Sequence, residues 1–147
     1  MDSKRTTVDF FIRQNWHKIQ RMYNQKSQGF DISISVGYIL LMIEKEGTPS
    51  TQLGPKMGME PTSLSRTLKS MEDDGLIRRE IDKIDKRKVF IFLTEKGIEK
   101  RRISRDVVLD FDDRLIAKIP KSKLKAYFEV MQFVEEFIDK ELKIMNS

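Results

Sequence analysis

Residues 50–97 read STQLGPKMGMEPTSLSRTLKSMEDDGLIRREIDKIDKRKVFIFLTEKG. A short segment with polar flanks stops at Gly58. A second opens at Pro61 and stops at Gly75, and two strand-like runs follow around a charged tip. In the second segment Leu64, Leu68, Met71 and Leu76 recur at spacings of three to five residues, which predicts a helix with one apolar stripe. Pro61 suits the first turn, where its missing N–H is no loss, and Gly75 suits a left-handed C-cap. Away from the stripe lie Thr62, Ser63, Ser65, Arg66 and Lys69. These are short hydroxyls and cations near a helix N-terminus, a chemistry that suits phosphate oxygens and base edges. An ordinary solvated helix face has the same composition, so the neighbouring segments decide.

After Gly75 the pattern changes to period two. Residues 76–79 (LIRR) and 88–93 (KVFIFL) read as strands rich in β-branched and aromatic side chains. Residues 80–87, EIDKIDKR, form a charged hairpin tip without glycine or proline. Helix, turn, helix and basic hairpin make a winged helix-turn-helix. In that architecture the second helix enters the major groove and the wing reaches an adjacent minor groove.

The run Asp85-Lys86-Arg87, followed by Leu93-Thr94 and Gly97, resembles the D-x-R…L-T-x-x-G wing signature of the MarR family of bacterial transcriptional regulators. The spacing agrees residue for residue, as does the Gly75-Leu76-Ile77 entry to the wing. Ser63-Leu64-Ser65-Arg66 is similar to that family's recognition helix. The likeness extends over nearly the whole chain and is specific from about Gln52 to Gly97. One departure lies inside it: Gly54-Pro55 falls early in the first helix of the motif, where good helix formers are usual. That helix is expected to be short or to start with a distorted turn.

Composition agrees with one soluble regulator domain spanning 1–147. The chain has 147 residues, with 28 Lys+Arg against 23 Asp+Glu and a net charge of +5. That excess permits binding to a polyanion without requiring it. No cysteine and a single histidine, His17, leave no disulfide framework, no thiolate metal site and few nucleophile–base constellations. The chain is therefore read as neither an enzyme nor a metalloprotein, with no cofactor. No apolar run is long enough to span a bilayer and no signal peptide is evident, so a cytoplasmic protein is expected.

The flanks read as helices. Val8, Ile12, Trp16, Ile19 and Tyr23 share a stripe over about 7–25, and a second helix carries Val36, Ile39, Leu40 and Ile43 after an Asp31 or Ser33 cap. Residues 48–51 (TPST) are expected to be extended and to add a short third strand to the hairpin, with Ser50 or Thr51 capping the next helix. Thr94 suits the cap of a long helix that Pro120 ends. The last helix, about 121–144, has two apolar faces. Leu124, Tyr127, Phe128, Met131, Val134, Ile138 and Leu142 form one; Val130, Phe133, Phe137 and Ile144 form the other. Two faces call for two partners, the chain's own core and a second subunit.

The expected fold is thus mainly α with a small antiparallel β-wing: a winged helix-turn-helix over roughly 33–100 between N- and C-terminal dimerisation helices, roughly 1–32 and 104–147. The resemblance implies a homodimeric repressor on a pseudo-palindromic double-stranded DNA operator. Thr62, Ser63, Ser65, Arg66 and Lys69 would face the major groove. Arg87 would enter the minor groove, oriented by Asp85, and Arg78, Arg79, Lys83, Lys86 and Lys88 would meet phosphates. A small-molecule effector pocket is implied as well, for which Trp16, Tyr23, Phe30, Tyr38 and Phe111 are the candidate lining. The competing reading is a winged-helix protein–protein interaction module that binds no DNA; the basic tip and the hydroxyl-bearing helix face speak against it.

Overall fold

The computed structural model describes residues 5–147. In chain order α1 spans Val8–Ser27, and a 3-10 turn follows at Gln28–Phe30. Then come α2 Ile34–Met42, β1 Thr48–Pro49, α3 Ser50–Met57, α4 Pro61–Asp73, β2 Ile77–Ile81, β3 Val89–Leu93, α5 Glu95–Ile116 and α6 Lys121–Met145. The chain divides into two compact units, Met1–Val107 and Val108–Ser147. Among the described residues no helix is long and apolar enough to cross a membrane.

The first unit carries the core. Ile39, Leu40 and Ile43 from α2 and its end meet Leu53 of α3, Leu64, Leu68 and Met71 of α4, and Leu76, Ile77 and Ile91 from the wing. The predicted stripe of α4 is the buried one, and Pro61 occupies its first turn. Ser33 caps α2, its hydroxyl accepting from the Val36 N–H at 3.2 Å. The third strand forms as expected: β3 lies between β1 and β2, with Thr48 opposite Ile91 and Ile77 opposite Leu93, all antiparallel.

Two local expectations fail. Neither Ser50 nor Thr51 caps α3; the helix begins at Ser50 with Pro49 in the cap position and no side-chain cap. Pairing of Thr48 and Pro49 to β3 holds the chain extended until the helix starts, leaving no residue between strand and helix to serve as a polar cap. Pro55 lies inside α3. Its missing N–H forgoes the bond back to Thr51, in keeping with a helix of 8 residues. The hairpin tip is also shorter than residues 80–87, because Glu80 and Ile81 pair with Phe90 and Val89.

One knot joins α4, the sheet and α5. Gly75 is left-handed at φ 74°; its N–H reaches the Glu72 carbonyl at 3.0 Å, and the Leu76 N–H reaches Met71 at 2.9 Å. These two bonds close the end of α4 as a Schellman motif. The Leu76 carbonyl then accepts from the Thr94 N–H at 3.1 Å. The Thr94 hydroxyl donates to the Gly75 carbonyl and accepts from the Gly97 N–H at 3.0 Å, which is the expected cap of α5. A Cβ on Gly97 would lie 2.0 Å from the Leu76 oxygen.

In the second unit α6 buries no residue. Leu124, Met131 and Val134, half-buried, all belong to its first apolar face. On the other face Val130, Phe133, Phe137 and Ile144 are each more than half exposed. The expectation that the first face packs into a core is met only in part, since Tyr127, Phe128, Ile138 and Leu142 are exposed as well.

Gly97→Ala is expected to destabilise the chain by about 1–3 kcal/mol, the range for forcing extra volume into a packed site. The obstruction is backbone rather than a side chain that can turn away. Urea denaturation followed by circular dichroism measures it; an unchanged midpoint would show that α5 can lift off Leu76 freely.

Candidate nucleic-acid interface

The exposed face of α4 follows from the buried one. With Leu64, Leu68 and Met71 turned inward, a rotation of about 100° per residue places Thr62, Ser65, Arg66 and Lys69 within an arc of about 100° on the opposite side. Ser63 lies on the flank of that arc. All five are exposed. Ser63 also has a local role: its carbonyl accepts from the Thr67 hydroxyl at 3.0 Å. Lys69 lies 4.0 Å from Asp73 one turn on, a separation at which an exposed ion pair contributes little.

The wing tip is built by two aspartates. Asp82 closes the hairpin through its N–H, which donates to the Lys88 carbonyl at 3.0 Å. Its carboxylate accepts from the Ile84 N–H, also at 3.0 Å. Asp85 repeats the device, accepting from the Arg87 N–H at 3.1 Å, while the Lys88 N–H donates to the Asp85 carbonyl at 3.0 Å. Such side-chain-to-backbone bonds let a turn hold its shape without glycine.

The same Asp85 carboxylate receives the Arg87 guanidinium, Nε at 3.1 Å on one oxygen and an Nη at 3.4 Å on the other. The planar fork on a carboxylate fixes direction as well as distance. The Arg87 side chain is nonetheless 92% exposed. The bonds from Arg87, side chain first and backbone second, hold the Asp85 carboxyl below its ordinary pKa, so it remains an anion at neutral pH.

The six wing cations differ in how they are held. Arg78 pairs with Glu80 and lies over the Phe92 ring, 4.5 Å from its centroid. Arg79 reaches Glu72 near the end of α4 at 3.6 Å. Among the described residues Lys83, Lys86 and Lys88 of the tip, and Arg66 of α4, make no ion pair. The structure therefore gathers the α4 face and the tip cations onto one unit and, among the described residues, leaves four of them without a close ion pair.

Sequence reasoning missed three cations that fasten α5 to this unit. Lys96 donates to the Asp74 carbonyl at 2.8 Å, just past the end of α4. Lys100 donates to Phe30 at 2.7 Å. Arg101 donates to the Leu40 and Leu41 carbonyls at 3.1 and 3.5 Å, capping the end of α2. No periodicity marks such residues, because their partners are backbone atoms distant in sequence.

The candidate effector residues separate. Trp16 stacks on Tyr38 with centroids 6.1 Å apart, and Tyr23 meets Tyr38 edge-on at 6.4 Å. These three make one aromatic cluster of α1 and α2, and burial pushes the Tyr38 phenol pKa up. Phe30 is exposed in the 3-10 turn. Phe111 belongs to the second unit, where it lines a mostly apolar depression with Arg114, Leu115, Ala117 and Lys118. Among the described residues no group of three or more acidic or imidazole side chains is placed to hold a metal ion.

Comparison with known proteins agrees with this geometry. The HTH-type transcriptional regulator TtmR of Methylorubrum extorquens is 32% identical over 82 residues, 55% of this chain and 42% of TtmR. The chain thus spans less than half the length of that relative. Among solved structures, MepR of S. aureus in complex with DNA has a TM-score of 0.81 at 19% identity, covering 91% of this chain and 99% of MepR. FabT of Streptococcus pneumoniae, also in complex with DNA, has a TM-score of 0.76 at 17% identity, covering 90% and 96%. At those identities the likeness establishes a shared fold. The MarR family model matches residues 37–89, from α2 through α4 into the second strand of the wing, so this segment, which carries the α4 face and most of the aspartate-held tip, is similar to the MarR family.

Proposed function

We propose that the protein is a transcriptional regulator that binds double-stranded DNA as a homodimer and represses from a pseudo-palindromic operator. The observation that carries this reading is the wing tip: an arginine almost wholly in solvent, aimed by Asp85, among three lysines without ion pairs. A cation that only solubilised the surface would not need a fixed direction. A duplex offers two complementary surfaces, a major groove for α4 and a minor groove of high negative potential for Arg87. TtmR is itself a transcriptional regulator, and MepR and FabT were solved with DNA.

Within this reading Arg66 contacts a base edge, with Thr62, Ser63, Ser65 and Lys69 beside it. Lys83, Lys86 and Lys88 meet phosphates and make binding salt-dependent. Arg78 and Arg79 contribute less, since each already has a carboxylate partner. The second subunit covers Val130, Phe133, Phe137 and Ile144 of α6; the expected pairing helices at roughly 1–32 and 104–147 include residues 1–4, which lie outside the described residues. Burying a phenylalanine contributes about 1.5–3 kcal/mol, so two per subunit add several kcal/mol to association. Two-fold pairing places the recognition helices on half-sites about one DNA turn apart. An aromatic effector would bind at the Trp16–Tyr38 stack and act through its differential affinity for DNA-competent and incompetent spacings.

Two outcomes test this. Arg87→Ala is expected to weaken binding to a duplex selected by the protein from random sequence by about 1–3 kcal/mol, with the dimer intact, by fluorescence anisotropy. Equal affinity would remove the wing from the interface, and selection of no duplex at all would favour a protein-binding module. Separately, Phe133→Asp together with Phe137→Asp is expected to give a helical monomer in sedimentation equilibrium; a persistent dimer would assign that face to another partner.

A further inference from the structure

The hairpin tip presents an aliphatic side chain that the folded chain does not use. Ile84 is 96% exposed, and Ile81, at the end of β2, is 64% exposed. A single exposed aliphatic residue is ordinary on a protein surface. This one differs in how it is held and in what surrounds it. Its N–H is fixed by the Asp82 carboxylate at 3.0 Å, inside a loop closed by the Asp82–Lys88 backbone bond. Its sequence neighbours are Lys83 and Asp85, and Arg87, held by that same Asp85, stands three residues on. The tip therefore carries one β-branched apolar group among cations, on backbone that two aspartates have already ordered.

We propose that Ile84 is the apolar contact of the wing with DNA, entering the minor groove beside Arg87 and packing against its sugar walls and floor. This rests on the DNA-binding reading above. The cations bring the tip to a polyanion, and among polyanions a duplex also offers a groove with apolar deoxyribose walls. In that groove an A·T pair presents only acceptors, whereas a G·C pair adds the guanine 2-amino donor. An isoleucine against the floor would bury that donor without a partner, a desolvation that nothing offsets. Ile84 thus makes the wing selective for A·T pairs by exclusion, whereas Arg87 favours the same pairs through groove width and potential.

Replacing Ile84 by lysine separates contact from charge. If the tip binds only through its cations, Ile84→Lys tightens binding to every duplex. If Ile84 packs in the groove, Ile84→Lys weakens binding to the selected duplex by about five- to twenty-fold, as expected for losing partial burial of an aliphatic group. It should also tighten binding to random duplex and steepen the salt dependence by about one counterion. A second arm replaces adenine by 2,6-diaminopurine, which adds the 2-amino group, in the A·T pairs that a wild-type footprint places under the wing. Wild-type protein should lose several-fold in affinity, and Ile84→Ala should lose markedly less.

Ile84→Lys binding the selected duplex as tightly as wild type or tighter, or a diaminopurine loss equal in Ile84→Ala and wild type, overturns the proposal. Arg87→Ala serves as the control: if it still weakens binding while Ile84 is inert, the DNA-binding reading stands and only the role of Ile84 falls. Because the side chain is almost wholly in solvent, neither Ile84 variant is expected to change the melting temperature.

Discussion

A close approach between two pieces of backbone holds the rest in place. The Leu76 carbonyl stands so near the first turn of α5 that no side chain fits at Gly97, and the same oxygen accepts from Thr94. Thr94 in turn bonds the Gly75 carbonyl and the Gly97 N–H. Four elements therefore meet within a few residues: the end of α4, the start of β2, the end of β3 and the start of α5. Their polar groups satisfy one another, as partly buried backbone requires. The direction of α4 relative to the hairpin is fixed by short hydrogen bonds here and by Arg79 reaching Glu72. Apolar burial under α4 supplies strength but no direction of its own.

The wing handles charge by the same economy. Residues 78–88 contain six cations and three carboxylates, so this short segment supplies a net +3 of the chain's +5. Such a tip repels itself in the free protein. The three acids are placed where they shape rather than cancel: Asp82 and Asp85 fold the loop backbone, Asp85 aims Arg87, and Glu80 sits back along the strand against Arg78. An exposed ion pair contributes little to stability, so the benefit of the Asp85 clamp is pre-organisation. An arginine already pointed outward loses less rotamer freedom when it meets a partner.

Much of this was legible in the residues. The stripe Leu64, Leu68, Met71 fixed which side of α4 is exposed, since helical periodicity leaves little choice once the buried side is known. Thr94 marked the strand-to-helix corner, because a cap is a local requirement that sequence states directly; Gly97 stood out only through the family signature, since the backbone it approaches, at Leu76, is distant in sequence. What sequence concealed was tertiary. Ser50 and Thr51 look like caps by type, but pairing of Thr48 and Pro49 to β3 uses up the residues a cap would need. The hairpin extends through Ile81 because pairing with Val89 outweighs the polar look of residues 80–82. Lys96, Lys100 and Arg101 gave no signal, because a cation bonded to distant carbonyls reads like any solvated one. The site residues divide on the same line: the exposed face of α4 and the form of the tip follow from contiguous sequence, whereas the aromatic candidates depended on contacts between helices, and only Trp16, Tyr23 and Tyr38 cluster.

The apolar surface that remains has a consequence for assembly. Phe11 and Val8 on α1, and Phe133, Phe137 and Ile144 on α6, are each more than half exposed. Within α6, Phe133, Phe137 and Ile144 share one exposed face, and a large exposed apolar patch marks a surface that another molecule covers. The helical ends and the wing tip thus differ in kind. Hydrophobic burial at the helical ends is short-ranged and insensitive to salt; attraction at the cationic tip reaches across a Debye length of about 8 Å at physiological ionic strength and falls as salt rises. On the proposed reading, a dimeric regulator built this way would keep its subunits together under conditions that release it from a polyanion. Within that proposal, pairing and DNA release would be controlled by different physical variables, and an effector would have only to change the spacing of two reading heads that remain joined.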